Sequence, residues 1–370
     1  MKTRVLDGVN PAKNDLEHVY PEHKLDTPID HFHDKSRYEP HVEGKFGLRY
    51  WYDTQFYRPG GPVIVLCGGE TSGVGRLPYL QKGIVYELAK ATGGLGVVLE
   101  HRYYGTSIPV DDFSTENLRF LSTEQALADA EYFAKHVRFE GVGHADLSPD
   151  ASPWIVYGGS YAGSFAAFLR IEYPDVFWGG ISSSGVPVAI WDYWEYFEAA
   201  RIFGPPECVS TTQTVTDVVD RVLLDDDKSE YIHELKEAFG LGNLTYNDDF
   251  ASILSRGISS LQGLNWDPAV SNNEFFEYCA NVSDSSALYP RTEEHREGVE
   301  KLLNVTGYED KLDHLTNRTL NYIGWLNLTT VSKCIGHTQD ECFSTHNSKF
   351  YSQHDSSQSW RLWAYQVCTE

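Results

Sequence analysis

The sequence predicts an α/β fold, an open and mostly parallel sheet interrupted by a helical insert. Three observations predict it. Up to about residue 190, apolar runs such as Val63-Ile-Val-Leu-Cys67 and Leu95-Gly-Val-Val-Leu99 alternate with segments of helical spacing, the rhythm of strands covered by crossover helices. Beyond it, polar helical stretches take over. Within the first part, Trp154 to Gly163 reads as a strand, a glycine turn and the start of a helix. The expected organisation is residues 1–190 as the N-terminal part of a core, 191–355 as a helical cap carrying glycosylation sequons, and 356–370 as a return to a core left truncated at its C-terminal end.

Taken in order, Leu48-Arg-Tyr-Trp-Tyr52 and Val63 to Cys67 are expected strands, the second ending in Gly68-Gly69, and Tyr79 to Ala91 an expected helix. Leu95 to Leu99 is the next buried strand. From Ser122 to Arg138, Ala126, Leu127, Ala130, Phe133, Ala134 and Val137 keep helical spacing behind a Ser122-x-x-Gln125 capping box. Trp154 to Tyr157 is a strand, Tyr161 to Tyr173 a helix stopped by Pro174, and Phe177 to Ser182 a further strand. In the cap, Thr214 to Leu224, Lys228 to Phe239 and Glu293 to Asn304 read as helices. The acidic run Asp225-Asp-Asp227 reads as a solvated turn.

Composition narrows the function. With 30 Lys and Arg against 53 Asp and Glu, the formal charge is -23, which opposes docking on nucleic acid or anionic lipid. No run reaches the 18 or so apolar residues of a membrane span, and the first 25 residues hold no apolar signal segment. Five Asn-x-Ser/Thr sequons, at Asn243, Asn281, Asn304, Asn317 and Asn327, favour a secreted, extracellular or lysosome-like setting with N-glycosylation. Cysteine usage agrees. Cys67 reads as a buried thiol in an apolar strand, while Cys208, Cys279, Cys334, Cys342 and Cys368 suit two disulfides and one leftover thiol, with the pairing left open. The leftover thiol suggests a partner, and a homodimer is among those expected. No metal or other cofactor is expected, since no C-x-x-C or His/Cys cluster of zinc spacing occurs.

Ser160 carries the chemistry. A serine attacks an acyl carbon only when a base takes its proton and donors stabilise the oxyanion. A strand entering a tight glycine turn and then a helix lifts the Oγ above the sheet and sets the next N–H where the oxyanion forms, as in an α/β-hydrolase. Trp154 to Tyr157, Gly158-Gly-Ser-Tyr161 and the helix that follows supply those parts. The strict pattern G-x-S-x-G is broken by Ala162, with Gly163 next; a small residue still suits the close approach of helix and strand. Tyr161 is then one expected oxyanion donor, and Gly69 or Glu70, in the loop after the earlier core strand, the other.

These runs, taken with Asp30-His-Phe32, Gly68-Gly-Glu70, Glu100-His-Arg-Tyr-Tyr-Gly105, Gln125-Ala-Leu-Ala-Asp129 and Tyr365-Gln-Val-Cys-Thr-Glu370, resemble the proline-specific serine peptidases, the family of lysosomal Pro-X carboxypeptidase and dipeptidyl peptidase II. The resemblance covers nearly the whole chain. It implies an α/β-hydrolase core with a disulfide-bearing helical cap, and exopeptidase cleavage of proline-containing peptides after proline. It also implies that Glu100 to Gly105 is a structural loop beside the active site, with His101 and Arg102 a satisfied structural pair.

In this fold the acid and the histidine follow the serine in the chain, and the resemblance places both after the Cys-Thr-Glu run. The 370 residues are therefore expected to carry a nucleophile without its base, with Asp340, His346 and His354 poor substitutes. A reading from another class is a non-catalytic peptide-binding or regulatory relative. A lipase or esterase would share the serine turn but not the Glu100 to Gly105 run.

Overall fold

A computed structural model describes residues 16–264 and 271–370. The chain divides into two compact units, one of residues 16–190 with Tyr351–Glu370, the other Trp191–Phe350.

Among the described residues of the first unit, one six-stranded sheet runs in the order β1-β2-β4-β3-β5-β6: β1 His23–Pro28, β2 Lys45–Asp53, β3 Val63–Cys67, β4 Leu95–Leu99, β5 Trp154–Gly159 and β6 Gly179–Ser183. β1 and β2 pair antiparallel with each other, as β2 does with β4, while β4, β3, β5 and β6 are mutually parallel. With helices on its faces, this order and direction of strands is an α/β-hydrolase fold. β3 and β4 are buried at every position, which is why they read as unbroken apolar runs instead of alternating ones. Their alternate residues serve two cores. Val63, Val65, Val97 and Leu99 face Phe133, Ala166 and Leu169, whereas Ile64, Leu66 and Val98 face Val85 and Ala89.

The expected elements shift in ways with local causes. The helix expected from Tyr79 is split into Pro78–Gln81 and α1, Ile84–Thr92, because Gly83 leaves the helical region at φ -98° and ψ -168°. α2 spans Thr123–His136 and is capped at Ser122, whose side chain accepts from the Gln125 N–H. The capping box stays half made. Gln125 turns inward, its Nε2 donating to Asp30 at 2.6 Å and its Oε1 accepting from the His31 N–H at 2.9 Å. α3, Tyr161–Glu172, follows β5 directly. The last strand begins two residues later than expected, at Gly179.

The second unit is helical. α4 Pro206–Leu223 and α5 Glu274–Ser283 are joined by the Cys208–Cys279 disulfide across 71 residues. They pack with α6 Arg296–Val305 and α7 Leu312–Thr329 around Val215, Val219, Phe239, Tyr278, Leu303 and Leu326. A second bridge, Cys334–Cys342, closes a short loop, and Cys67 and Cys368 stay free, buried and exposed respectively. A cross-link over 71 residues removes about 4.4 kcal/mol of unfolded-chain entropy, against about 2.5 kcal/mol for the 8-residue one, so the first does more to hold this unit. Asp225 caps the Asp227 N–H and pairs with Lys228, a solvated turn. The chain returns to the first unit at Tyr351 and ends in α8, Trp360–Thr369.

Candidate active site

Ser160 stands alone between β5 and α3 with φ 60° and ψ -125°. A left-handed serine costs roughly 1–3 kcal/mol and persists only where its surroundings enforce it. They do so with backbone. The Ser160 N–H donates to Ser183 O at 3.0 Å, and Ser160 O accepts from the Gly163 N–H at 2.9 Å. A methyl group on Gly158 would lie 1.7 Å from Ala162 O, and one on Gly163 would lie 2.7 Å from Ser183 O. Ala162 is tolerated where the strict motif has glycine because it faces Gly69, which has no side chain; the two Cβ positions would be 3.3 Å apart. The serine is exposed.

Tyr161 is the first residue of α3, so its N–H has no acceptor within the helix. Across from it, the Gly68 N–H donates to Leu99 O at 2.8 Å, and Gly68 O accepts from Arg76 Nε at 3.1 Å. A planar trans peptide points its N–H opposite to its carbonyl. The Gly69 N–H is thus aimed away from Arg76, with Gly69 held at φ +68° and Glu70 half-buried after it. A cavity of about 20 Å³ lies under this loop, lined by Cys67, Gly68, Gly69, His101, Asp129 and Ala162, room enough for one water. Burial pushes the Cys67 thiol up to about 12, leaving it inert as a nucleophile.

The run Glu100 to Gly105 is a fully committed scaffold. Glu100 accepts both Nε and Nη2 of Arg49, at 2.7 and 2.6 Å, together with the Gly73 N–H at 2.8 Å and Ser107 Oγ at 2.7 Å. Arg102 grips Asp129 through Nε and Nη2, both at 2.6 Å. His101 approaches Arg102 O with Nδ1 at 2.8 Å and Tyr161 Oη with Nε2 at 3.0 Å. A carbonyl only accepts, so Nδ1 carries the proton and Nε2 accepts from tyrosine. His101 is therefore no base for Ser160.

Burial drives the His101 pKa from 6.5 down to about 4. The unfolded chain takes this proton below 6.5 while the folded chain refuses it until about 4, so stability falls as pH drops through that window and is flat in this group below it. The expected loss is on the order of 3 kcal/mol, read as the urea midpoint against pH. His101→Asn, which keeps a donor near the Nδ1 position, should flatten the slope. An unchanged slope in that variant would refute the assignment.

The remaining candidates for acid and base are engaged elsewhere or open to solvent. Asp340 accepts from Thr245 Oγ1 at 2.6 Å, His346 pairs with Asp248 at 2.8 Å, and His354 lies exposed. Among the described residues, Ser160 Oγ makes no hydrogen bond. Of the sequons, Asn243 and Asn304 are exposed and Asn327 half-buried on α7. The Asn281 and Asn317 amides are occupied, donating to Glu277 O and Ser285 O. Gln366 on α8, which sequence reasoning did not single out, reaches Tyr161 Oη at 3.1 Å.

A serine in a strained turn from parallel strand to helix, beside a glycine loop from the neighbouring strand, defines the α/β-hydrolase class. The chain belongs to the serine carboxypeptidase S28 family, which matches residues 27–370. It is 48% identical over 96% of its length to the "Probable extracellular serine carboxypeptidase" of Arthroderma benhamiae, covering 50% of that protein. It is 30% identical over 88% of its length to the "Serine protease vicPa" of Bipolaris victoriae, covering 60% of it. The "Thymus-specific serine protease" of Mus musculus is 33% identical over 62% of the chain and 44% of that protein. The chain thus spans about half the length of the curated relatives it matches.

Proposed function

We propose that this chain carries the nucleophile and oxyanion donors of a secreted serine exopeptidase that cleaves proline-containing peptides after proline. The observation that carries the reading is Ser160 itself, exposed at φ 60° at the N-cap of α3. Ser160 attacks the acyl carbon, and the Tyr161 N–H with that of Gly69 or Glu70 takes the developing negative charge. Family membership supports peptide bonds as the substrate, and the resemblance of the Glu100 to Gly105 run supports proline. Two disulfides, the exposed sequons at Asn243 and Asn304, and the relative named extracellular support secretion and glycosylation. The general base and its orienting acid come from sequence other than the residues described. The committed hydrogen bonds of His101 and His346 support this, as does the open edge of the sheet at β6, where Trp178 is 72% and Ile181 38% exposed.

The test compares the 370-residue chain with a form extended to the length of its relatives. The extended form should hydrolyse either an amino-terminal X-Pro reporter or a carboxy-terminal Pro-X peptide, and Ser160→Ala should lower kcat by at least about 10⁴-fold. The shorter chain should label with a fluorophosphonate only slowly. Rapid labelling of its Ser160 would show that the base lies within these residues. Hydrolysis that survives Ser160→Ala would end the nucleophile assignment.

A further inference from the structure

We infer that Gln366 is a positioning residue for the oxyanion donor, acting through the side chain of Tyr161; this rests on the peptidase reading above. The hydrogen bonds around it have a forced direction. His101 Nε2 can only accept, so the single Tyr161 hydroxyl proton goes to it at 3.0 Å. The Tyr161 oxygen is left able only to accept, and Gln366 Nε2 donates to it at 3.1 Å. The other end of the same amide, Gln366 Oε1, accepts from the Tyr104 hydroxyl at 2.5 Å. The chain of donors runs from Tyr104 through Gln366 and Tyr161 to His101, and from His101 Nδ1 into Arg102 O at 2.8 Å. Arg102 is itself fixed by Asp129.

Every link is buried. Gln366 is 2% exposed, Tyr104 5%, His101 7% and Tyr161 9%, so none of these bonds is exchanged cheaply for water. α8 supports the same ring a second time, with Trp363 meeting Tyr161 edge-on at 5.5 Å. The Tyr161 Cα carries both this pinned ring and the N–H that opens α3. Holding the phenol from two sides fixes the direction of that N–H before substrate arrives, which is the preorganisation an oxyanion donor needs. The Gln366 amide, with an acceptor at one end and a donor at the other, fits between two hydroxyls of which one donates and the other accepts.

Glutamate is the discriminating replacement. Ionised, it still accepts from Tyr104 but cannot donate to Tyr161; protonated, it does both. The titratable groups facing the position are Tyr104 and Tyr161 directly and His101 behind Tyr161, with the Glu70 and Glu370 carboxylates close enough to act on Tyr161. In the extended form, Gln366→Met, which keeps the volume and loses both bonds, should lower kcat roughly 10- to 100-fold with KM within about twofold. Gln366→Glu should show a similar loss near neutral pH, and its kcat relative to the unmodified enzyme should recover as pH falls. Should Gln366→Met fail to fold, the pH-dependent ratio for Gln366→Glu decides alone. A kcat within twofold in both variants, or a ratio for Gln366→Glu that does not move with pH, overturns the positioning role. An unmodified extended form without hydrolysis overturns the peptidase reading, and this role with it.

Discussion

Replacing Asp129 by alanine is expected to destabilise the unit of residues 16–190 and Tyr351–Glu370 by about 3–5 kcal/mol, a large part of the 5–15 kcal/mol typical of a domain. Arg102 is 0% exposed, and its remaining donors reach only neutral oxygens, the carbonyls of Ile29, Phe120 and Pro28 at 3.0, 3.0 and 3.3 Å and the Gln125 Oε1 at 3.5 Å. Those oxygens satisfy N–H groups without neutralising a charge. The Asp129 carboxylate does that, at 2.6 Å on both sides of the fork, and it also takes His31 Nε2 at 2.7 Å. Burial alone would raise the Asp129 pKa, yet the Arg102 guanidinium, with His31, holds it below the usual carboxylate value. Without the carboxylate, a full positive charge stays buried beside an unpartnered imidazole. Urea unfolding of Asp129→Ala reads the loss. Removing both charges, as Arg102→Met with Asp129→Leu, should cost less than the single change, because no buried charge is stranded. A double variant no better than the single one, or a single variant within about 0.5 kcal/mol of the parent, would refute this account.

The parts legible in the sequence are those whose physics is local. β3 and β4 announce themselves by composition, the α2 cap by a serine before a periodic run, and the Ser160 turn by its glycines, of which Gly158 and Gly163 leave no room for a larger residue. What was not legible depends on partners far along the chain. β1, His23–Pro28, is largely polar and half-exposed, so no apolar pattern marks it; its register against β2 from His23↔Tyr50 to Pro28↔Lys45 makes it a strand. Gln125 looks like half of a capping box, but an inward Asp30 competes successfully for its amide. In α7 the polar Thr316, Arg318, Thr319 and Asn321 are buried, and no sequence pattern marks the partners of Asn321, which spends its amide on Asp284 O and Ser286 O. Gln366 sits 205 residues from Tyr161, a separation at which no motif can tie an amide to a hydroxyl.

The Ser160 turn offers the sharpest test of how packing makes chemistry. Gly158→Ala is expected to prevent the first unit from folding normally, or, where protein is recovered in the extended form, to lower kcat by about 100-fold or more. The added methyl carbon would sit 1.7 Å from Ala162 O, 2.2 Å from its carbonyl carbon and 2.9 Å from Gly163 N. All three are backbone atoms of the first turn of α3, so no rotamer change relieves the clash. β5 is held between β3 and β6, which leaves α3 as the element that must move. With it go Ser160 and the Tyr161 N–H, and a displacement near 1 Å is enough to lose about two orders of magnitude in rate. Gly159→Ala is the matched control. Its methyl would meet nothing nearer than Ser183 O at 3.9 Å, an ordinary contact, so its thermal unfolding should match the parent. If Gly158→Ala folds as stably as Gly159→Ala and keeps the parent's fluorophosphonate labelling rate, the close approach of α3 to β5 does not set the position of Ser160.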